Sequence, residues 1–345
     1  MLKKITLITI SRNRHPYLER IIDYYANSAI QVLIADDSKE KYSKVLPPNT
    51  AYYQYSGVPY LFRFDDIIQK VKTPYVVFCA DDDFIVPEGI SKCVSFLDTN
   101  PDYNSAHGQY VFFYHSKNKL FYTPGYLVTV GCDINEDTAM GRTERYKKLP
   151  IQLCYCVHRT ENLKLTFNTL KNSVNNLGLF ETIIGMKTLI EGKHKVLPVF
   201  YSARQSLYSS AGSGASIDVC ASKDEYKNEY NSYLVEMASL LSKKDNIPFD
   251  EAFAFFKQLM VEFVDYRYIS KPSSKKMMMK FIKKTIPFGL RKGARHYLLL
   301  LQEQNKKKNN IQLSQKINSF PFITGSPENK ELQKIENCIL KYNVK

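Results

Sequence analysis

Thr73-Pro74-Tyr75-Val76-Val77-Phe78-Cys79-Ala80-Asp81-Asp82-Asp83-Phe84-Ile85-Val86-Pro87 decides the fold. Tyr75 to Ala80 is a short apolar run rich in Val and aromatics, which reads as a strand buried on both faces, the kind found in parallel sheets. Three carboxylates follow it with no lysine or arginine among them. Adjacent like charges raise each other's pKa, so a folded chain gains little from such a triplet alone. A hard divalent cation such as Mg²⁺ or Mn²⁺ reverses that logic, because it takes one or two carboxylates together with substrate phosphates. Ligands of open α/β sheets bind beyond the carboxyl ends of the strands, where the triplet falls. The alternative is a polar strand-to-loop turn with solvated aspartates.

Working outward, Lys4 to Ile10 predicts a first buried strand, ending in the polar loop Ser11-Arg12-Asn13-Arg14-His15-Pro16. Tyr17 to Asn27 predicts a helix, with Leu18, Ile21, Ile22 and Tyr25 on one face. Gln31 to Ala35 predicts a second strand closing in Asp36-Asp37-Ser38, and Phe64 to Val71 a short helix before the central strand. Strand, helix and strand with polar clusters at the strand ends describe a right-handed nucleotide-binding half-sheet. No glycine-rich phosphate loop is present, so phosphates would be met by metal and side chains.

The motifs resemble those of family-2-like glycosyltransferases. The resemblance rests on the opening strand with its Asn-Arg turn at Ile5–Arg14, the Asp-Asp-x-Ser ending of Val32–Ser38, and the Asp-x-Asp strand at Thr73–Pro87. It is nearest a bacterial subgroup with a Thr-Pro-Tyr…Asp-Asp-Asp-Phe signature, and it covers about residues 4–205. It implies an α/β GT-A fold, Rossmann-like, with a mostly parallel sheet flanked by helices. By position it also implies that Ser11 and Arg14 line the base and ribose pocket and that Asp36 accepts a hydrogen bond from the base. Asp81 would lie towards the ribose and bind metal together with Asp83, and Asp82 would stand in for either. Leu179–Lys193 resembles the family's acceptor-side helix, and alignment on Gly192 puts Glu181 at the place of the catalytic base. Sugar transfer with inversion needs one carboxylate to take the acceptor's proton and a metal to stabilise the departing diphosphate. The other reading of Glu181 is an acid favoured by the helix macrodipole. Arg204, after a strand beginning near Val196, is placed to reach a diphosphate, and Ser209 to Ser216 reads as a loop over the site.

Composition bounds the remainder. The 345 residues, 44% apolar and 24% charged, suffice for a catalytic domain at about 1–210 and a helical region at about 211–345. Within the first, the nucleotide-sugar half would end near residue 100 and the acceptor half run from 101 to 210. The net charge is +14, yet residues 271–308 hold ten lysines and two arginines against the single acid Glu303, so the remainder is nearly neutral. That argues against a nucleic-acid-binding core and marks one basic, amphipathic segment, suited to an anionic membrane surface or, alternatively, to a solvated basic helix packed on the catalytic domain. The six-residue apolar run at the N-terminus is too short for a leader, no stretch is long enough to span a membrane, and seven irregularly spaced cysteines fit a reducing cytoplasm. Cys154 and Cys156 read as a core pair on a strand. His107 and His115, on a Tyr/Phe-rich strand, read as core histidines, with a third metal ligand or an acceptor contact as the alternative.

The expectation is therefore a cytoplasmic, Mn²⁺- or Mg²⁺-dependent glycosyltransferase in bacterial capsule or lipopolysaccharide synthesis, either free in the cytoplasm or peripheral at the inner face of the plasma membrane. Its donor would be a nucleotide-sugar, UDP-sugar favoured, and its acceptor a glycan or a lipid-linked glycan. The alternatives are a sugar-phosphate nucleotidyltransferase, which normally carries a glycine-rich N-terminal loop, and a non-catalytic peripheral membrane protein.

Overall fold

In the computed structural model, which describes residues 1–116, 119–124, 133–149, 151–164, 172, 174, 176–205, 215–269 and 325–342, the chain opens by alternating strands with helices. β1 (Ile5–Ser11), α1 (His15–Tyr25), β2 (Gln31–Asp36), β3 (Thr50–Gln54), α2 (Tyr60–Gln69) and β4 (Tyr75–Ala80) follow in order. β1, β2 and β4 are buried along nearly their whole length, as unalternating apolar strands must be. β1 lies between β2 and β4 and parallel to both, and β3 adds in parallel outside β2. The register sets Ser11 beside Asp36 and Ile10 beside Ala80, so the polar ends of β1, β2 and β4 share one edge.

Beyond the triplet come β5 (Phe84–Ile85), α3 (Pro87–Thr99), β6 (Tyr103–Ser116), β7 (Lys119–Pro124), α4 (Ala139–Tyr146), β8 (Val157–Arg159), α5 (Leu177–Glu191) and β9 (Lys193–Gln205). β8 pairs antiparallel with both β4 and β6, β9 runs parallel to β6, and β5 pairs antiparallel with the end of β9. The order across the sheet is β3-β2-β1-β4-β8-β6-β9-β5, with β7 hung on β6. The half carrying the first three motifs is therefore parallel, and the half beyond β4 is mixed. After residue 215 the described chain is helical: α6 (Ile217–Ser222), α7 (Lys227–Asp245), α8 (Phe249–Val264) and α9 (Pro327–Lys341).

Two apolar cores cover the two faces of the sheet. Residues of α1, α3 and α9 pack on one, and residues of α2 and α4 to α8 on the other. The architecture is thus α/β, a sheet flanked by helices. Burial of Tyr25 ties the first core to the acidic loop: its hydroxyl donates to the Ile85 carbonyl at 2.6 Å and accepts from the Ile85 N–H at 2.9 Å. Both backbone groups of β5 that would otherwise be orphaned are met, which holds the strand just after the triplet.

Local readings differ from the structure at the start of α1 and at Cys154 and Cys156. α1 starts at His15 rather than Tyr17, because Asn13 takes a left-handed φ of 55° and Pro16 suits the first helical turn. Cys154 and Cys156 do not alternate along a strand. Leu153–Tyr155 is a 3₁₀ turn, since β8 needs only three residues to fit between β4 and β6. Residues 206–214 of the expected loop and the basic segment 271–308 lie outside the described residues.

Candidate functional site

The carboxyl ends of β1 and β4, the end of β9 and the start of α5 surround one cavity of about 1320 Å³. Ser11, Arg14, Asp81, Asp82, Asp83, Glu181 and Arg204 all line it; Asp36 does not. That volume exceeds the range common for a single small ligand. It has room for more than one such ligand.

Two guanidinia organise the triplet. Arg14 reaches Asp81 Oδ1 through Nη1 at 2.9 Å and Asp82 Oδ2 through Nη2 at 2.8 Å, while its own plane lies 4.0 Å from the Tyr17 ring centre. Ser11 Oγ donates to the other oxygen of Asp81 at 2.8 Å. Arg204 donates through Nε to Asp83 Oδ2 at 2.9 Å, and the backbone N–H of Gln205 donates to Asp83 Oδ1 at 2.8 Å. Asp81 and Asp83 are buried and Asp82 is half-buried. Burial pushes Asp81 up to about 7 despite Arg14, and pushes Asp83 up as well despite Arg204. Burial also opposes the Arg14 charge, but Asp81 and Asp82 outweigh it and raise its pKa.

Along the part of the lining that α5 supplies, Asn176 caps that helix by accepting from the Gly178 N–H at 2.7 Å. Glu181 stands one turn further in, and no acid occupies the first turn of that helix. The macrodipole acts mainly on the first turn, so it does not account for Glu181. Tyr155 donates to Glu181 Oε1 at 3.3 Å, and the Arg204 guanidinium lies 4.3 Å from the Tyr155 ring centre. Burial and then the Glu181 charge hold the phenol's pKa well above its ordinary value, so it stays a donor.

Asp36, beside Ser11 at the end of β2, does not line the cavity. It is fully buried; Oδ1 accepts from the N–H and hydroxyl of Ser38, and Oδ2 from Tyr52, with His15 Nε2 2.9 Å away. A carboxylate so occupied has nothing left for a nucleobase, which corrects the role expected of it. Its neighbour Asp37 lines the cavity instead and pairs with Arg63 at 3.3 Å and Arg12 at 3.4 Å. Sequence reading missed Arg63, Gln205 and the part played by Tyr155. The signal for Arg63 was an arginine four residues before Ile67, on the face that α2 buries.

The triplet supplies oxygen ligands of the type Mg²⁺ and Mn²⁺ take, although the structure does not bring ligand atoms of its three carboxylates within 4.8 Å of one another. Three carboxylates meet two guanidinia there, and each carboxylate oxygen has a second acceptor site beyond the bonds described. Elsewhere among the described residues, ligand atoms of His107, Cys156 and His194 gather within 4.8 Å, all buried. His107 Nδ1 and His194 Nε2 are hydrogen-bonded to each other at 2.8 Å, and His194 Nδ1 to Ser105 at 2.6 Å. These imidazoles form a core hydrogen-bond network away from the cavity. His107 is thus a core histidine, while the side chain of His115 lies outside the described residues.

Among solved structures, the fold matches S. aureus TarS 1–349 in complex with UDP-GlcNAc at 13% sequence identity and a TM-score of 0.50, over 98% of this chain and 90% of that one. Another crystal structure of S. aureus TarS 1–349 matches at 12% identity with a TM-score of 0.49, over the same shares. No protein-family model matches the chain, and no curated protein matches it in sequence. The likeness is one of fold, and the sheet with its flanking helices is of the GT-A type.

Proposed function

We propose that the chain is a glycosyltransferase that moves a sugar from a nucleotide-sugar donor, with a UDP-sugar favoured, to a glycan or lipid-linked acceptor. The observation that carries this reading is one cavity lined by the acidic triplet, the two guanidinia that pair with it, and Glu181. The match to TarS bound to UDP-GlcNAc supports the choice of donor class through the shared fold. Glu181 would accept the proton of the acceptor hydroxyl as that oxygen bonds to the anomeric carbon and the bond from that carbon to the diphosphate breaks, inverting the centre. Tyr155 keeps the accepting oxygen of Glu181 in place. Arg14 and Arg204, turned towards the triplet, would meet the charge growing on the leaving nucleoside diphosphate. Ser11 and Arg14 would line the nucleoside side, with Asp37 and Arg63 nearest the base. Asp81 and Asp83, with Asp82, would hold a Mn²⁺ or Mg²⁺, whose chemistry is to neutralise diphosphate oxygens.

The setting follows from the acceptor: synthesis of a bacterial capsule or lipopolysaccharide glycan on the cytoplasmic side. No helix among the described residues is long and apolar enough to cross a membrane. The basic stretch 271–308 would touch an anionic lipid surface and bring the site to a lipid-linked acceptor. Calorimetry with UDP, GDP and CDP, in Mn²⁺ and then in EDTA, on wild type and Asp83→Ala tests the reading. Metal-dependent binding of one nucleotide, lost in the variant, is expected. Absence of binding under every condition would overturn it.

A further inference from the structure

Arg20 is a fully buried arginine, and among the described residues it forms no ion pair with a carboxylate. A cation so placed is costly unless its hydrogen bonds compensate for lost water. Its bonds run to two distant parts of the chain. Nε donates to the backbone carbonyl of Tyr342 at 3.1 Å, just past the end of α9, and Nη1 donates to Gln205 Oε1 at 3.0 Å. Nη2 is buried without a partner. The guanidinium also lies 4.8 Å from the centre of the Tyr17 ring, the ring that Arg14 stacks on.

Both routes lead to the triplet. Gln205, held through its side chain by Arg20, gives its backbone N–H to Asp83, and its neighbour Arg204 grips the other oxygen of that carboxylate. Tyr17 backs Arg14, which grips Asp81 and Asp82. α9 in turn is firmly seated. Leu332, Ile335 and Ile339 are buried, Tyr24 donates to Glu331 at 2.6 Å, Tyr122 to Glu336 at 2.7 Å, and Lys341 to Asp23 at 2.9 Å.

We propose that α9 is a strap that orders the donor wall of the cavity, and that Arg20 is the positioning residue through which it acts. The inference rests on the donor-site reading above. The strap's Tyr342 carbonyl and the Gln205 amide pin the guanidinium from two sides, and Gln205 and Tyr17 pass that rigidity to Asp83 and Arg14. Displacements of about 1 Å in such a supporting layer are enough to loosen a site.

The test is UDP binding by calorimetry on the full chain, with Arg20→Met, Arg20→Lys, Gln205→Leu and the Arg20→Met/Gln205→Leu pair, each checked for cooperative unfolding. Arg20→Met is expected to fold and to bind UDP about tenfold more weakly. Arg20→Lys should recover part of the loss. The double variant should bind no worse than Arg20→Met, because both changes break one route. A folded Arg20→Met that binds as wild type does, or losses that simply add in the double variant, would overturn the proposal. If Arg20→Met does not fold, wild-type binding by both Arg20→Lys and Gln205→Leu would overturn it equally. Wild type that binds no nucleotide sinks the donor-site reading itself, and this inference with it.

Discussion

Tyr155 donates its phenolic hydrogen to Glu181 Oε1 at 3.3 Å, and the same ring carries the Arg204 guanidinium. The side chain that orients the proposed base therefore also backs the cation that holds Asp83. Glu181→Gln is expected to lower turnover by about 10² to 10⁴, the usual share of a general base, with nucleotide affinity unchanged. Tyr155→Phe should cost about tenfold in turnover, the rate equivalent of roughly 1.4 kcal/mol. Transfer rates beside calorimetric affinities check both, and a Glu181→Gln enzyme at full rate would remove the base assignment.

Arg14 alone answers two carboxylates, one of them buried. Removing one partner of a buried pair leaves the other charge uncompensated, so Arg14→Ala should destabilise the chain by about 3 kcal/mol. Asp81→Asn in the same background should restore part of that loss. Urea midpoints of the three proteins measure it.

The contrast between Asp36 and Asp37 is testable directly. Asp36→Asn would turn an acceptor of several donors into a group that itself presents N–H, at a cost of about 2 kcal/mol or more in stability. Asp37→Ala should leave the melting temperature within a few degrees of wild type and weaken nucleotide binding. The reverse pattern would return the base contact to Asp36.

Acid should loosen the sheet near β6, β8 and β9. Burial lowers His107 to about 3 and His158 to about 4, and lowers His194 well below its ordinary value. In the unfolded chain these histidines protonate near pH 6.5, but the folded chain resists protonation, so the unfolded state binds more protons below that pH. Stability is then fully present above about pH 6.5 and falls as pH drops towards 4, by up to about 1.4 kcal/mol per pH unit for each histidine. Protonation of Asp81 and Asp83, whose pKa values burial raises, stabilises the folded chain over the same range. Urea titrations at pH 7 and pH 5 therefore isolate the histidine share by comparing wild type with His158→Gln, in which the acid-side loss should be smaller.

Periodicity alone determined much of this protein. The unbroken apolar runs of β1, β2 and β4 have no polar face to offer water, so they had to lie inside a sheet covered on both sides, and their parallel order placed the polar strand ends along one edge. The Asp81-Asp82-Asp83 cluster was legible because such a run of acids has no local partner in the sequence. What the sequence did not carry were pairings closed across long separations. Arg204 finding Asp83, Tyr155 finding Glu181, and His194 finding His107 depend on which strands become neighbours, and β8, β6 and β9 are too short or too mixed in pattern to announce their order. The choice between Asp36 and Asp37 turned on side-chain direction at the end of β2, where one residue of register exchanges interior for cavity. Only tertiary structure decided that, and it also brought α9, more than 300 residues away, against Arg20.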